Sequence, residues 1–194
     1  MFSNHPHSNE IYTMSPTKDE YIVSSLIDDT FLQNNQTGYG LVIRFGFHAW
    51  NGNHWKTHQR VMQANTILLK ILEQHDPIYI SRSSSGCEAV FHDSNILLQA
   101  AIEIQQCIHQ GSIPATIVVY KDEGHLAPDV WISSLERQAE CIAFWGEEHE
   151  IIVMPSAKEN LVIPVGVGLL PASKYIQNKF HVSLWTLHVY QDEE

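Results

Sequence analysis

The sequence predicts an α+β domain, an antiparallel sheet with helices on one face. Three observations carry this. Short β-branched and aromatic runs bounded by turn residues recur along the chain. Two longer segments repeat apolar residues at helical spacing. Between Leu41 and Tyr120 these alternate as strand, helix, strand, strand, helix, strand, the split βαβ or ferredoxin-like order.

Each element has its own local reason. "LVIRFGF" (41–47) alternates as a strand, with Ile43, Phe45 and Phe47 on one face and Arg44, Gly46 and His48 on the other. "THQRVMQANTILLKILEQ" (57–74) is helical, with Val61, Ala64, Leu68 and Leu72 in one stripe, and Asp76-Pro77 stops it. "IYIS" (78–81) and "CEAVF" (87–91) flank the polar link "RSSSG" as an antiparallel pair. "DSNILLQAAIEIQQCI" (93–108) is the second helix, with Asp93 or Ser94 as N-cap and Leu97, Ala101, Ile104 and Ile108 as its stripe. "PATIVVY" (114–120) is the next strand. "WISSLERQAECIAF" (131–144) reads as a helix, "EIIVM" (150–154) as a strand, and "HVSLWTLHVY" (181–190) as a terminal strand of antiparallel length. Residues 1–37 are a polar flexible tail or lead-in, with 21–35 a short helix or irregular stretch, and no repeat is apparent.

Composition excludes several classes. The 194 residues and 44% hydrophobic content suit one globular domain. The formal charge of −11 repels a phosphate backbone, so no nucleic-acid partner is expected. No apolar run is long enough for a membrane helix, and "MFSNHPHSNEIYTMSPTKDE" lacks the pattern of a signal peptide. Three widely spaced cysteines form no C-x-x-C pair, and a reducing, cytoplasmic setting follows. Twelve histidines make the charge pH-dependent near neutrality.

Several clusters invite a functional reading. In "FGFHAWNGNHWKTHQR" (45–60), His48, His54 and His58 are candidate metal ligands, but zinc needs three or four ligands with outer support, and Asn51-Gly52-Asn53 favours a turn. A surface or dimer-facing histidine cluster is the better reading. "SRSSSG" offers hydroxyls and Arg82 to an anion, but it lacks the ending of a phosphate-binding loop and reads as a hairpin link. Cys87 reads as a buried thiol. Glu136, Glu140, Glu147 and Glu148 read as a solvated acidic face. "VWISSL" and "VSLWTLHVY", taken with a bare sheet face, suggest a protein interface.

With its local phrases, the element order over residues 38–191 resembles the class III nucleotide cyclase (adenylate and guanylate cyclase) catalytic domain. "GLVIRFGFHAW" is similar to the family's first strand, "SSSGCEAVF" to its G-D-x-x-h-A-V-F hairpin, and "ILLQAAIEIQQCI" to the alanine-rich helix that follows. "PATIVVYKDEGHL", "SLERQAE" and "EIIVMPSAKENL" resemble the later phrases. The resemblance implies two divalent ions on two aspartates, and those aspartates fall at Gly46 and Ser85. The base-selecting lysine and aspartate fall near Ser81 and Ala127, and the asparagine and arginine that act on ribose and transition state near Val130 and Ser134. None of the six residue types is present. The resemblance therefore implies a degenerate, non-catalytic member with no catalytic residues, no cofactor and no metal pair. It also implies a regulatory dimer, either a homodimer or a heterodimer with a related chain, with a ligand groove at Arg44, His48, Arg82 and Ser85. An active cyclase or phosphoryl-transfer enzyme with a relocated metal site, or one half of a heterodimeric cyclase, is the alternative.

Overall fold

A computed structural model describes residues 35–46, 54–83, 85–127 and 130–190. The tail through residue 34, His48 and the side chain of His54 lie outside the described residues. The strands are β1 (Gln36–Phe45), β2 (Tyr79–Ser83), β3 (Gly86–Phe91), β4 (Ala115–Ala127), β5 (Val130–Ile132), β6 (Ile151–Val153), β7 (Val167–Pro171) and β8 (Trp185–Val189). The helices are α1 (His54–Gln74), α2 (Ser94–Gln110), α3 (Glu136–Trp145), α4 (Pro155–Lys158) and α5 (Lys174–Phe180). The sheet runs β2-β3-β1-β4-β6-β8-β7, with β5 folded back on β4. Its first four strands, reached by α1 and α2, are the expected split βαβ arrangement.

The two long helices cover the expected face. Leu41, Ile43 and Phe45 of β1 meet Val61, Ala64, Leu68 and Leu72 of α1 and Leu97, Ala101, Ile104 and Ile108 of α2 in one buried cluster. Each fully buried aliphatic side chain here contributes about 1.5–3 kcal/mol. Asp93 caps α2 as predicted, accepting from the backbone N–H groups of Asn95 and Ile96.

The opposite face is not bare throughout. Val42, Val118, Tyr120 and Ile152 form a second cluster with Ala139, Ile142 and Ala143 of α3 and Ile176 of α5. The small side chains at 139 and 143, one turn apart, let α3 lie close to the strands. The sheet is also mixed, because β6 runs parallel to β4 while every other pairing is antiparallel.

Boundaries moved where tertiary pairing overrode local pattern. β4 continues past Tyr120 to Ala127 because residues 36–39 of β1 lie alongside 121–124 and supply ladder partners. Trp131 and Ile132 open a strand rather than a helix, and the helix begins only at Glu136. α1 begins at His54, three residues before the expected start. β7 and α5 have too weak a periodicity to be read from sequence; β8 pairs antiparallel with both β6 and β7.

Candidate ligand cleft on the open half of the sheet

Register determines which side chains meet on the second face. Direct pairing lines up Tyr79, Val90, Gly40 and Tyr120 in one row, Ser81, Glu88, Val42 and Val118 in the next, and Ser83, Gly86, Arg44 and Thr116 in a third. α3 covers the β1 and β4 side of these rows. At the upper end Trp131 of β5 lies against Gly38 and Gly124; a Cβ on Gly38 would stand 2.8 Å from the indole. What remains open is the β2–β3 side of the lower two rows. There a cleft of about 110 Å³ is lined by Arg44, Ser81, Ser83, Ser85, Glu88, and by Glu136 and Glu140 of α3.

The charges in this cleft are unusual. Tyr120 donates its hydroxyl to Glu88 Oε1 at 2.9 Å, and the carboxyl of Glu136 is hydrogen-bonded to Glu88 from the helix side. Burial pushes the Glu88 carboxyl up to about 8; repulsion from Glu136 adds to this, and the Tyr120 hydrogen bond works against it. Burial also raises Glu136. At pH 7 the Glu88 carboxyl therefore holds its proton. Arg44 is half-buried, its guanidinium over the Phe144 ring at 5.3 Å, and its buried Nε has no hydrogen-bond partner among the described residues.

The structure brings some predicted site residues together and separates others. Arg44 and Ser85 line the cleft. Arg82 touches it too, but register places Arg82 in the row of Cys87 and Ile43, which enters the core under α1 and α2. Its side chain is exposed at the sheet edge. His58 is exposed, while His48 and the His54 side chain lie outside the described residues; among the described residues no group of three His, Cys, Asp or Glu is placed to hold an ion. The "SRSSSG" link is a hairpin turn: Ser83 and Ser85 hydroxyls meet at 3.0 Å, and Ser85 N–H donates to Ser83 Oγ. Cys87 is buried as expected, and burial pushes its thiol up to about 12.

Two expectations are corrected. Glu136 is not on a freely solvated face, because α3 packs its first turn toward Glu88. Trp131 is 1% exposed and belongs to the interior, so the "VWISSL" surface is carried instead by Val130 and Ile132. Glu88 and Tyr120 were missed by sequence reading. They lie in apolar strand phrases, where a single polar residue carries no periodic signal.

The comparisons with known proteins bear on this geometry. Neither a family model nor a curated protein matches the sequence. Solved structures do match. The adenylate/guanylate cyclase/hydrolase from Silicibacter pomeroyi aligns with a TM-score of 0.59 at 14% identity, covering 82% of this chain and 99% of that one. A non-canonical dimeric guanylyl cyclase domain of the RhoGC fusion protein from Blastocladiella emersonii gives 0.63 at 8% identity, over 81% and 97%. Adenylate cyclases from Trypanosoma brucei in their monomeric state give 0.61 at 7%, over 84% and 93%. The chain has the nucleotide cyclase catalytic-domain fold. Within that fold, the ends of β1 and of the β2–β3 turn are neighbours: Phe45 N–H donates to the Ser85 carbonyl at 2.9 Å, which sets Gly46 beside Ser85. The donor set there does not fit a pair of hard divalent cations, which want several oxygen ligands with charge. Gly46 has no side chain, the Ser85 hydroxyl is bound to Ser83, and the carboxylate set against the Gly46 position is that of Glu148, from another segment.

The described helices include none long and apolar enough to cross a membrane. Leu126, Val130 and Ile132 at the β4–β5 hairpin are exposed large hydrophobic residues, as are Phe144 and Trp145 at the end of α3.

Proposed function

We propose that this protein is a non-catalytic, cyclase-like regulatory or binding module, cytoplasmic, that acts as a dimer and holds a small ligand in the groove beside Arg44 and Ser85. The reading rests chiefly on one observation, the 2.9 Å hydrogen bond from Phe45 to Ser85. It places side by side the two positions that the resemblance assigns to metal-binding aspartates, and those positions hold glycine and serine. Two-metal activation of a hydroxyl needs carboxylates at that spot. The dimeric relative and the exposed apolar residues of the β4–β5 hairpin support self-association, or pairing with a related chain.

One feature favours the enzymatic alternative. Glu148 Oε1 lies 2.9 Å from where a Cβ on Gly46 would stand, so a carboxylate from another segment reaches the first metal position. On the Ser85 side the cleft carboxylates are Glu88, already engaged by Tyr120 and Glu136, and Glu136 and Glu140 of α3, and none of them stands at position 85 itself, where the two-ion arrangement wants a ligand. The non-catalytic reading is therefore preferred.

The test is direct. Purified protein incubated with ATP or GTP and Mn²⁺ is expected to form no cyclic nucleotide, and light scattering is expected to give a dimer mass. Cyclic product from the unmodified chain that disappears in Glu148→Ala would replace this reading with the relocated-metal enzyme.

A further inference from the structure

The cleft holds opposite charges that face each other without pairing. Arg44 and the carboxylates of Glu136 and Glu140 line the same space, yet among the described residues no ion pair joins Arg44 to either carboxylate. Arg44 Nε is buried with no acceptor among the described residues, so within them this arginine's charge is not fully compensated. The other charged groups facing the cleft are Glu88 of β3, which is engaged by Tyr120 of β4, and Arg82 at the edge of β2. Ser81 and Ser83, two residues apart on β2, add hydroxyls that donate or accept.

Size narrows the occupant. The cleft offers about 110 Å³ of space. Sites for drug-sized ligands and cofactors run to roughly 300–1,000 Å³, so the cleft by itself encloses less than a drug-sized ligand. Arg44 at one end and Glu136 and Glu140 at the other line this same small space. A molecule that satisfies both ends is short and carries both signs of charge.

We propose that the cleft between α3 and the β2–β3 hairpin binds a small amino-carboxylic zwitterion, its carboxylate on Arg44 and its ammonium on Glu136 and Glu140. The inference rests on the groove reading of the preceding subsection and supplies its ligand class. Arg44 gives a charge-assisted donor to the carboxylate. Glu140, exposed on α3, and Glu136 one turn before it give acceptors to the ammonium, and the two serines complete the polar wall. Single-charge molecules satisfy only one end and leave the other charge facing an apolar or like-charged group.

The experiment is thermal denaturation of the full chain with glycine, β-alanine and 4-aminobutyrate, each titrated into the millimolar range, beside propylamine and propionate as single-charge controls. A saturating zwitterion at about a hundred times its dissociation constant is expected to raise the midpoint by roughly 5 to 10 °C. The controls are expected to leave it unchanged. Glu140→Gln, an exposed substitution that leaves the fold intact, is expected to weaken the response at least tenfold in concentration, and Arg44→Met to remove it. Equal shifts from propionate, no shift from any zwitterion, or an unchanged response in Glu140→Gln would each overturn the proposal. Any of these results alongside absent cyclase activity and a dimer mass would leave the non-catalytic reading standing. Cyclase activity alongside a zwitterion response would overturn that reading alone.

Discussion

Tyr120 reaches across β1 to donate to Glu88, and it does so through space that Gly40 leaves empty. Gly40 lies directly between Tyr120 and Val90 in register, and a Cβ there would overlap the Tyr120 ring. The glycine is required for packing, since the ring lies on bare backbone. Gly40→Ala is expected to destabilise the domain by about 1–3 kcal/mol through overpacking, measured by urea unfolding. Tyr120→Phe keeps the ring and loses only the hydroxyl, and a smaller loss of about 1–1.5 kcal/mol is expected. A larger loss for the phenylalanine than for the alanine variant would sink this account.

The Glu88 carboxyl gives a pH dependence with a definite sign. Its pKa is raised from 4.5 to about 8 in the folded state. Between those values the folded chain binds a proton that the unfolded chain has lost, so stability falls as pH rises. The loss begins near pH 4.5 and is complete by about pH 8, and raised Glu136 acts in the same direction. Glu88→Gln keeps a neutral hydrogen-bonding group at all pH values. Its unfolding free energy is expected to be flatter than that of the parent between pH 5 and 8, with the largest gain at pH 8. An identical slope in the variant would assign the dependence elsewhere.

Asp122 builds the entry to α3. Oδ2 accepts from Ser133 Oγ at 2.8 Å, from Ser134 N and Oγ at 2.8 and 2.9 Å, and from Leu135 N at 3.0 Å. Burial alone would raise this carboxyl, but the hydrogen bonds outweigh it and hold the group below its ordinary value. Its stabilising effect is present at neutral pH and is lost as pH falls below about 3.8, the ordinary value. Asp122→Ala is expected to cost about 1–2 kcal/mol and to speed amide exchange in 136–145 before the rest of the sheet. Uniform exchange across the domain would contradict a local role.

Trp131 fastens the β4–β5 hairpin onto the sheet. Its indole lies against Gly38 and Gly124. Trp131→Ala is expected to cost about 3–5 kcal/mol, and limited proteolysis is expected to cut first within 124–133. Gly124→Ala would press a Cβ into the indole and is expected to give the same first cut at a milder loss. Resistance of the hairpin in both variants would show that it is held by other contacts.

Much of the scaffold was legible in the sequence because its signals are local. The stripes of α1 and α2 name the residues that became the first core cluster, and Asp93 caps α2 as its position implied. The β4 extension was not legible, since "KDEGHLA" has little strand pattern and is held by pairing with residues 36–39. The same holds for Trp131, where a tryptophan near a helical phrase became a buried strand residue through two distant glycines. Of the groove residues named from sequence, Arg44 and Ser85 meet, whereas Arg82 turned out to lie on the other row.

The sequence by itself determined the order of strands and helices, the faces that α1 and α2 bury, and the absence of carboxylates at positions 46 and 85. Those follow from spacing and residue type, which act over a few residues. Only the tertiary structure decided that Glu88, Tyr120 and Glu136 share a proton-bearing cluster, and that Arg44 looks into the same cleft as Glu140. Register across four strands and the seat of α3 on β1 and β4 bring residues 44, 88, 120 and 136 together. No local propensity encodes those non-local contacts.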